Sequence, residues 1–241
     1  MAESQPIDLA ISGGVAYYTW KENTSVGTPK ESGAIWTIDG SIGAAPFEKL
    51  PDLRLHGDAQ LFFGRVGYDT FIQGTGTPVN TDTDYFGLKF EGGAGWRITY
   101  RETSVEPFLG LAYRIWWRDI LTTSVATGYL EWYRTLYGRI GIQAKHTLKK
   151  GITLYTTFSL DPMLWAEEKV YLGETLTFEN GRQAGWEIEG GARWNHLEAT
   201  GYWQATRFGE SNVVISPGCP NGCIQPKSDQ DIIGFKVGYL F

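Results

Sequence analysis

The segment that most restricts how this chain can fold is Phe235 to Phe241. Read with a period of two, Phe235, Val237, Tyr239 and Phe241 fall on one face, and Lys236, Gly238 and Leu240 fall on the other. One face is apolar and aromatic, and it ends on a large ring. A soluble strand rarely leaves such a ring exposed at its end. Facing lipid, the ring sits favourably at the membrane interface. Pairing of the last strand with the first then leaves no open edge.

The rest of the chain repeats the alternation. Strands are expected over residues 8–20, 33–43 and 84–100, and over the C-terminal segment. The clearest further case sets Leu53, Leu55, Gly57, Ala59, Leu61 and Phe63 against Arg54, His56, Asp58, Gln60 and Phe62. Five more segments alternate around Leu111, Ile140, Leu154, Ile188 and Ala199. The total of about ten is even, which suits a single-chain bacterial barrel. The links alternate in length as well. Residues 101–104, 147–150 and 194–196 are short links, whereas 73–83, 119–127, 161–183 and 208–228 are long ones. Residues 44–52 exceed a tight turn, and residues 21–32 form a polar stretch. Asn180-Gly181 is a hairpin turn signal inside 161–183, so the strands beside it are expected to rise above the membrane.

The expected fold is all-β: a single transmembrane, antiparallel, up-and-down β-barrel domain over residues 1–241, with short periplasmic turns and long extracellular loops. A mean hydropathy of −0.24 agrees, because a barrel strand shows lipid only at every second residue. Ala2-Glu3-Ser4 reads as a mature N-terminus behind an added Met1, with the signal peptide absent. A net charge of −6 argues against nucleic acid as a partner.

Which face points inward separates two kinds of barrel. The polar faces carry Arg54, His56, Asp58, Glu91, Arg97, Arg114, Arg118, Glu131, Arg139, Glu187, Glu189, Arg193, Glu198 and Lys236. Turned into lipid, each mid-membrane Arg or Lys would cost about 2–4 kcal/mol. Turned into the lumen, the two signs can pair. A soluble β-sandwich or lipocalin-like barrel with a charged surface is the alternative. Trp96, Trp117, Trp186, Trp194 and Trp203 lie near strand ends, as an interfacial girdle requires. The lumen charges either fill a narrow barrel as a salt-bridged core or line a slender conduit for ions or small solutes.

The C-terminal run resembles the signal by which the barrel-assembly machinery recognises outer-membrane barrels. Lys236, Gly238, Tyr239 and Phe241 carry that likeness. It implies the bacterial outer membrane as location, with lipid, lipopolysaccharide and the assembly machinery as partners. The ten-strand plan also resembles the omptin outer-membrane proteases and ten-stranded surface adhesins. Omptins use an Asp pair and an Asp-His pair at the extracellular rim. Asp82 and Asp84 could stand for the first pair, or form a solvated loop end. The run Asp161 to Trp165 holds no His. His56 is expected in the lumen, and His146 and His196 at periplasmic turns, without a Ser partner for lipid hydrolysis. No enzyme activity, cofactor or metal is therefore expected.

Two cysteines, Cys219 and Cys223, share one loop and are expected to form a local disulfide. Tyr171, Leu172, Leu176, Phe178, Val213, Val214 and Ile215 are apolar outside the presumed membrane. They either extend the barrel wall or form a patch for a surface ligand. Arg134 has outward parity and would meet lipopolysaccharide phosphate, unless a β-bulge turns it inward. The functional expectation is a non-enzymatic barrel with an ion-paired lumen, passing small solutes. The alternative is an adhesion barrel acting through its loops, and a rim hydrolase is a more remote one.

Overall fold

The computed structural model describes residues 7–24, 27–72 and 75–241. Ala2, Glu3 and Ser4, read above as a mature N-terminus, lie outside the described residues, as do Gln73 and Gly74 of one expected loop. The first wall strands are β1 (Asp8–Asn23), β2 (Lys30–Ala44), β3 (Leu53–Phe71) and β4 (Pro78–Trp96), the last continued by β5 (Ile98–Tyr100). Next come β6 (Thr103–Ile120), β7 (Tyr129–Thr147) and β8 (Ile152–Tyr171). One further wall is built from β9 (Thr175–Glu179), β10 (Gly181–Arg182) and β11 (Ala184–Trp194), and is followed by β12 (Leu197–Gly209). A small hairpin, β13 (Val214–Ser216) and β14 (Cys219–Cys223), precedes the closing strand β15 (Lys227–Leu240). Each wall pairs antiparallel with its neighbours. β15 seals the ring against β1, from Ala10 opposite Leu240 to Asn23 opposite Lys227, and against β12 on its other edge. The result is a closed ten-strand outer-membrane barrel.

The outward faces make an apolar belt. Ile11, Val15, Trp36, Phe90, Leu109 and Phe235 are each between 40% and 64% exposed. In water that surface would be a large penalty, but against lipid tails it carries none. Trp96 and Trp194 mark the periplasmic edge of the belt, and Trp36 and Trp117 its upper edge. Above the upper edge the same faces turn polar: Lys21 on β1, Arg65 on β3, Asp84 on β4, Asp119 on β6, Glu167 on β8 and Arg207 on β12. The strands continue beyond that line.

Several expected connections are therefore largely wall. β1 runs on to Asn23 and β2 already begins at Lys30; β4 begins at Pro78; β8 reaches Tyr171. The turn in 161–183 falls at Leu172 to Glu174 rather than at Asn180-Gly181, with Gly173 at φ +76°. Above the belt the outward face turns polar and the inward face mixes polar residues such as Glu22 and Thr83 with apolar ones such as Val66 and Val170, so the period-two signal fades although pairing does not.

Strand β8 carries a bulge. Met163 faces Tyr137 and Trp165 faces Leu136, leaving Leu164 as the extra residue. Inward parity therefore switches from Ser159, Asp161 and Met163 to Ala166, Glu168 and Val170. Arg134 stays outward, because the bulge lies on the neighbouring strand. It pairs with Glu167 and lies over the rings of Trp132 and Trp165, 4.7 and 5.4 Å from their centroids.

Candidate functional site: a lumen in two storeys

The inward residues divide by height. In the upper half they fill the barrel. Tyr18, Trp20, Ile35, Phe62, Trp116 and Tyr133 are all buried in one cluster. Trp116 stacks on Tyr133 with centroids 4.7 Å apart, and Phe208 packs against Trp20 at 5.3 Å. Space for this comes partly from Gly87, where a Cβ would collide with the Phe62 ring and with Trp116. Arg114 is held between rings, 4.5 Å from the Phe62 centroid and 4.6 Å from that of Trp116, and donates to Gln230.

Just above, Arg118 is fully buried. It meets Glu31 at 2.9 Å and Glu22 at 3.6 Å, and also pairs with Glu131. Tyr133 accepts from Arg118 and donates to Glu131, while Thr83 and Tyr85 donate to Glu31. A fourth carboxylate, Glu168, is buried nearby and accepts from Asn180. These glutamates lie above the apolar belt. Burial pushes Glu131 up to about 7, against the pull of Arg118. Burial also raises Glu22, and burial followed by repulsion from Glu131 raises Glu168 well above the usual carboxylate range. Three acids pair with one guanidinium and a fourth is buried beside them, so the region favours the protonated form of Glu22, Glu131 and Glu168.

The lower half is a cavity of about 250 Å³ that reaches the periplasmic strand ends at Asp8 and Leu240. Its centre is a shared ion-pair network. Lys89 reaches Glu91 at 2.6 Å and Glu187 at 3.1 Å. Arg139 pairs with Glu91, with Asp161 at 3.2 Å and with Glu187 at 3.4 Å. Lys236 bridges Asp39 and Glu189, at 3.5 Å each. Toward the periplasm stand three separate pairs: Arg54 with Asp8 at 2.9 Å, Arg97 with Glu106 at 3.0 Å, and Arg193 with Glu198. His56 lies edge-on to Phe108.

All fourteen lumen residues expected from sequence point inward, but they do not form one network. Arg114, Arg118 and Glu131 belong to the filled upper half. The other eleven line the lower cavity. Sequence reasoning missed Asp39, Glu106, Lys145 and Asp161 below, and Glu22, Glu31 and Glu168 above; Lys89 shares the polar face of Glu91 and Arg97 in the sequence and points inward with them. Parity alone could have found Asp39, which shares a face with Ile35 and Thr37, and Glu22, which shares one with Tyr18 and Trp20. Glu168 was hidden by the bulge.

Asp82 and Asp84 face outward, and Asp84 accepts from Arg65 at 2.6 and 2.7 Å. Thr83 is the inward residue between them. His146 bonds Thr103, and His196 bonds the Leu240 carbonyl, both at the periplasmic end. Cys219 and Cys223 are joined in a disulfide. That hairpin packs through Val214 on Val170, Leu176 and Phe178. Leu176 and Phe178 thus extend the wall, whereas Val213 and Ile215 remain exposed. In the closing strand Tyr239 stacks on His196, and Phe241 is exposed beside it.

A family model for the autotransporter β-domain matches residues 14–167. No curated protein sequence matches the chain. The outer membrane protease OmpT from Escherichia coli is similar in structure over 100% of this chain and 99% of its own, at 11% identity and a TM-score of 0.68. The translocator domain of the autotransporter NalP from Neisseria meningitidis is similar over 97% of this chain and 88% of its own, at 16% identity and a TM-score of 0.47. At these identities the likeness is one of fold; OmpT and this chain share the barrel, not a demonstrated chemistry.

Proposed function

This chain belongs to the autotransporter β-domain family of outer-membrane barrels, and we propose that it works as a single-domain, non-enzymatic conduit held closed. The lower chamber takes up ions or small solutes from the periplasm, and the upper plug blocks their exit. The carrying observation is the split lumen: an ion-paired cavity below, and stacked rings with a sealed Arg118 cluster above. Any passage, of a solute or of a polypeptide, requires Trp116, Tyr133 and Phe208 to move. A non-catalytic role is supported by the outward Asp82 and Asp84 and by the three histidines, which all lie toward the periplasmic end.

Planar-bilayer recording tests the reading. The native barrel is expected to show no steps above leak, and a Trp116→Ala/Phe208→Ala barrel to conduct. An open native pore would overturn the closed plug. A folded but silent double variant would overturn the conduit.

One observation favours a second reading, adhesion. Val213 and Ile215 stand exposed on a hairpin that the Cys219–Cys223 bridge and the Glu174 contacts to Ser216 and Gly218 hold in place. Deletion of residues 212–225 should then abolish binding to a host surface or matrix, and unchanged binding would remove this alternative. Lipid and lipopolysaccharide at the belt, and the assembly machinery reading Lys236, Gly238, Tyr239 and Phe241, are the proposed partners under either reading.

A further inference from the structure

Among the described residues, every Asp, Glu, Lys and Arg side chain lining the lower chamber makes an ion pair except two, Asp58 and Lys145. Neither makes a side-chain hydrogen bond. They have opposite signs and stand on different walls, β3 and β7. Their surroundings add to the separation. Lys145 is close to the periplasmic end of β7, where the field of Arg193 and Arg97 outweighs that of Glu106 and Asp8. Asp58 sits further in, facing Glu91 across the strand pair, where the field of Glu91 and Glu189 outweighs that of Lys89 and Lys236. The three mouth pairs cancel, so Lys145 leaves a positive charge over there, whereas Asp58 joins an interior in which acids already outnumber Lys89, Arg139 and Lys236.

A charge left unpaired in a confined site is costly, and a ligand that supplies its counter-charge recovers that cost. One small molecule with an anionic and a cationic end would satisfy both groups. We propose that the lower chamber binds a small zwitterion of the amino-acid class, with its carboxylate at Lys145 and its ammonium at Asp58. This rests on the reading that the chamber admits solutes from the periplasm.

Titration calorimetry on the full chain in detergent micelles tests the proposal. The probes are 4-aminobutanoate and 6-aminohexanoate, with succinate and 1,4-diaminobutane as controls that carry two like charges. The expected result is binding of an amino acid about tenfold or more tighter than either control. Lys145→Gln and Asp58→Asn should each weaken that binding by about tenfold, and Lys145→Arg should largely keep it. A heat-modifiable gel shift confirms that each variant is folded. Equal or tighter binding of succinate or the diamine would overturn the proposal. So would amino-acid binding untouched by both charge removals, or no binding at all. Calorimetry does not require the plug to open, so a silent bilayer leaves the site standing. Labelling of Gln143→Cys reports access to the chamber separately, so a closed chamber and an absent site give different results.

Discussion

The two halves of the lumen are lined by the same strands and the same kinds of charge, yet they use charge differently. Arg118 in the upper half and Arg139 in the lower half both meet several carboxylates. Around Arg118 the space is taken up by Trp20, Tyr133 and Glu31, all of them fully buried. Around Arg139 the space is a cavity open toward the periplasm. The first arrangement is a packed core that tolerates charge only because the acids share a guanidinium and several hydroxyl donors. The second is a hydrated network in which any single pair is partly replaceable by water. Ring volume, rather than charge, decides which half is closed.

The largest expected difference between the halves comes from removing each arginine. Arg118→Met leaves Glu22, Glu31 and Glu131 without their shared partner and should destabilise the barrel by about 3–5 kcal/mol. Arg139→Met, with water at hand, should cost about 1–2 kcal/mol. Urea unfolding in lipid vesicles measures both, and equal losses would erase the distinction.

Next in size is a pH effect expected from the plug. The charged and titratable groups facing its centre are Glu22, Glu31, Tyr68, Tyr85, Arg118, Glu131, Tyr133 and Glu168. Burial raises Glu131 to about 7 when folded, above its unfolded value near 4.5. Over that interval the folded state binds more protons than the unfolded one, so stability must fall as pH rises. The melting temperature is expected to be higher at pH 5 than at pH 8. A flat profile would mean that Glu131 titrates as an exposed carboxyl does.

A smaller effect follows at Gly87. A methyl there has no space between Phe62 and Trp116, so Gly87→Ala should cost about 1–3 kcal/mol. Gly40, where a Cβ meets nothing within 4 Å, should accept Ala with little change. Least of all, Arg65→Ala on the exposed outer rim should leave the unfolding midpoint unchanged, despite its two bonds to Asp84. A measurable shift there would show the rim pairs to be structural.

Much of this barrel was legible from parity. Leu53 to Phe63 and Phe235 to Phe241 tell which side faces lipid, and every lumen charge named from sequence has the inward side. Height was not legible. Arg97 and Arg118 occupy equivalent faces, but strand pairing across the ring sets one beside the periplasmic cavity and the other inside the plug. The rise of β8 above the belt was legible from the turn signal that follows it, but that of β4 was not, because Asn80, Thr81 and Asp82 are polar on both faces. The Leu164 bulge leaves no trace in composition, yet it turns Glu168 inward and leaves Glu167 outside with Arg134. The rim pair suggested by Asp82 and Asp84 dissolved for a related reason: the single residue between them is the inward one.

The closed plug over an open chamber is tested most directly by the side from which the chamber can be reached. Gln143 lines the lower cavity, and the native cysteines are already bonded to each other. A Gln143→Cys protein in cells, treated with a sulfonated dye-maleimide too large for general porins, should label only after the outer membrane is permeabilised. Labelling of intact cells at the same rate would mean that the lumen is open to the outside.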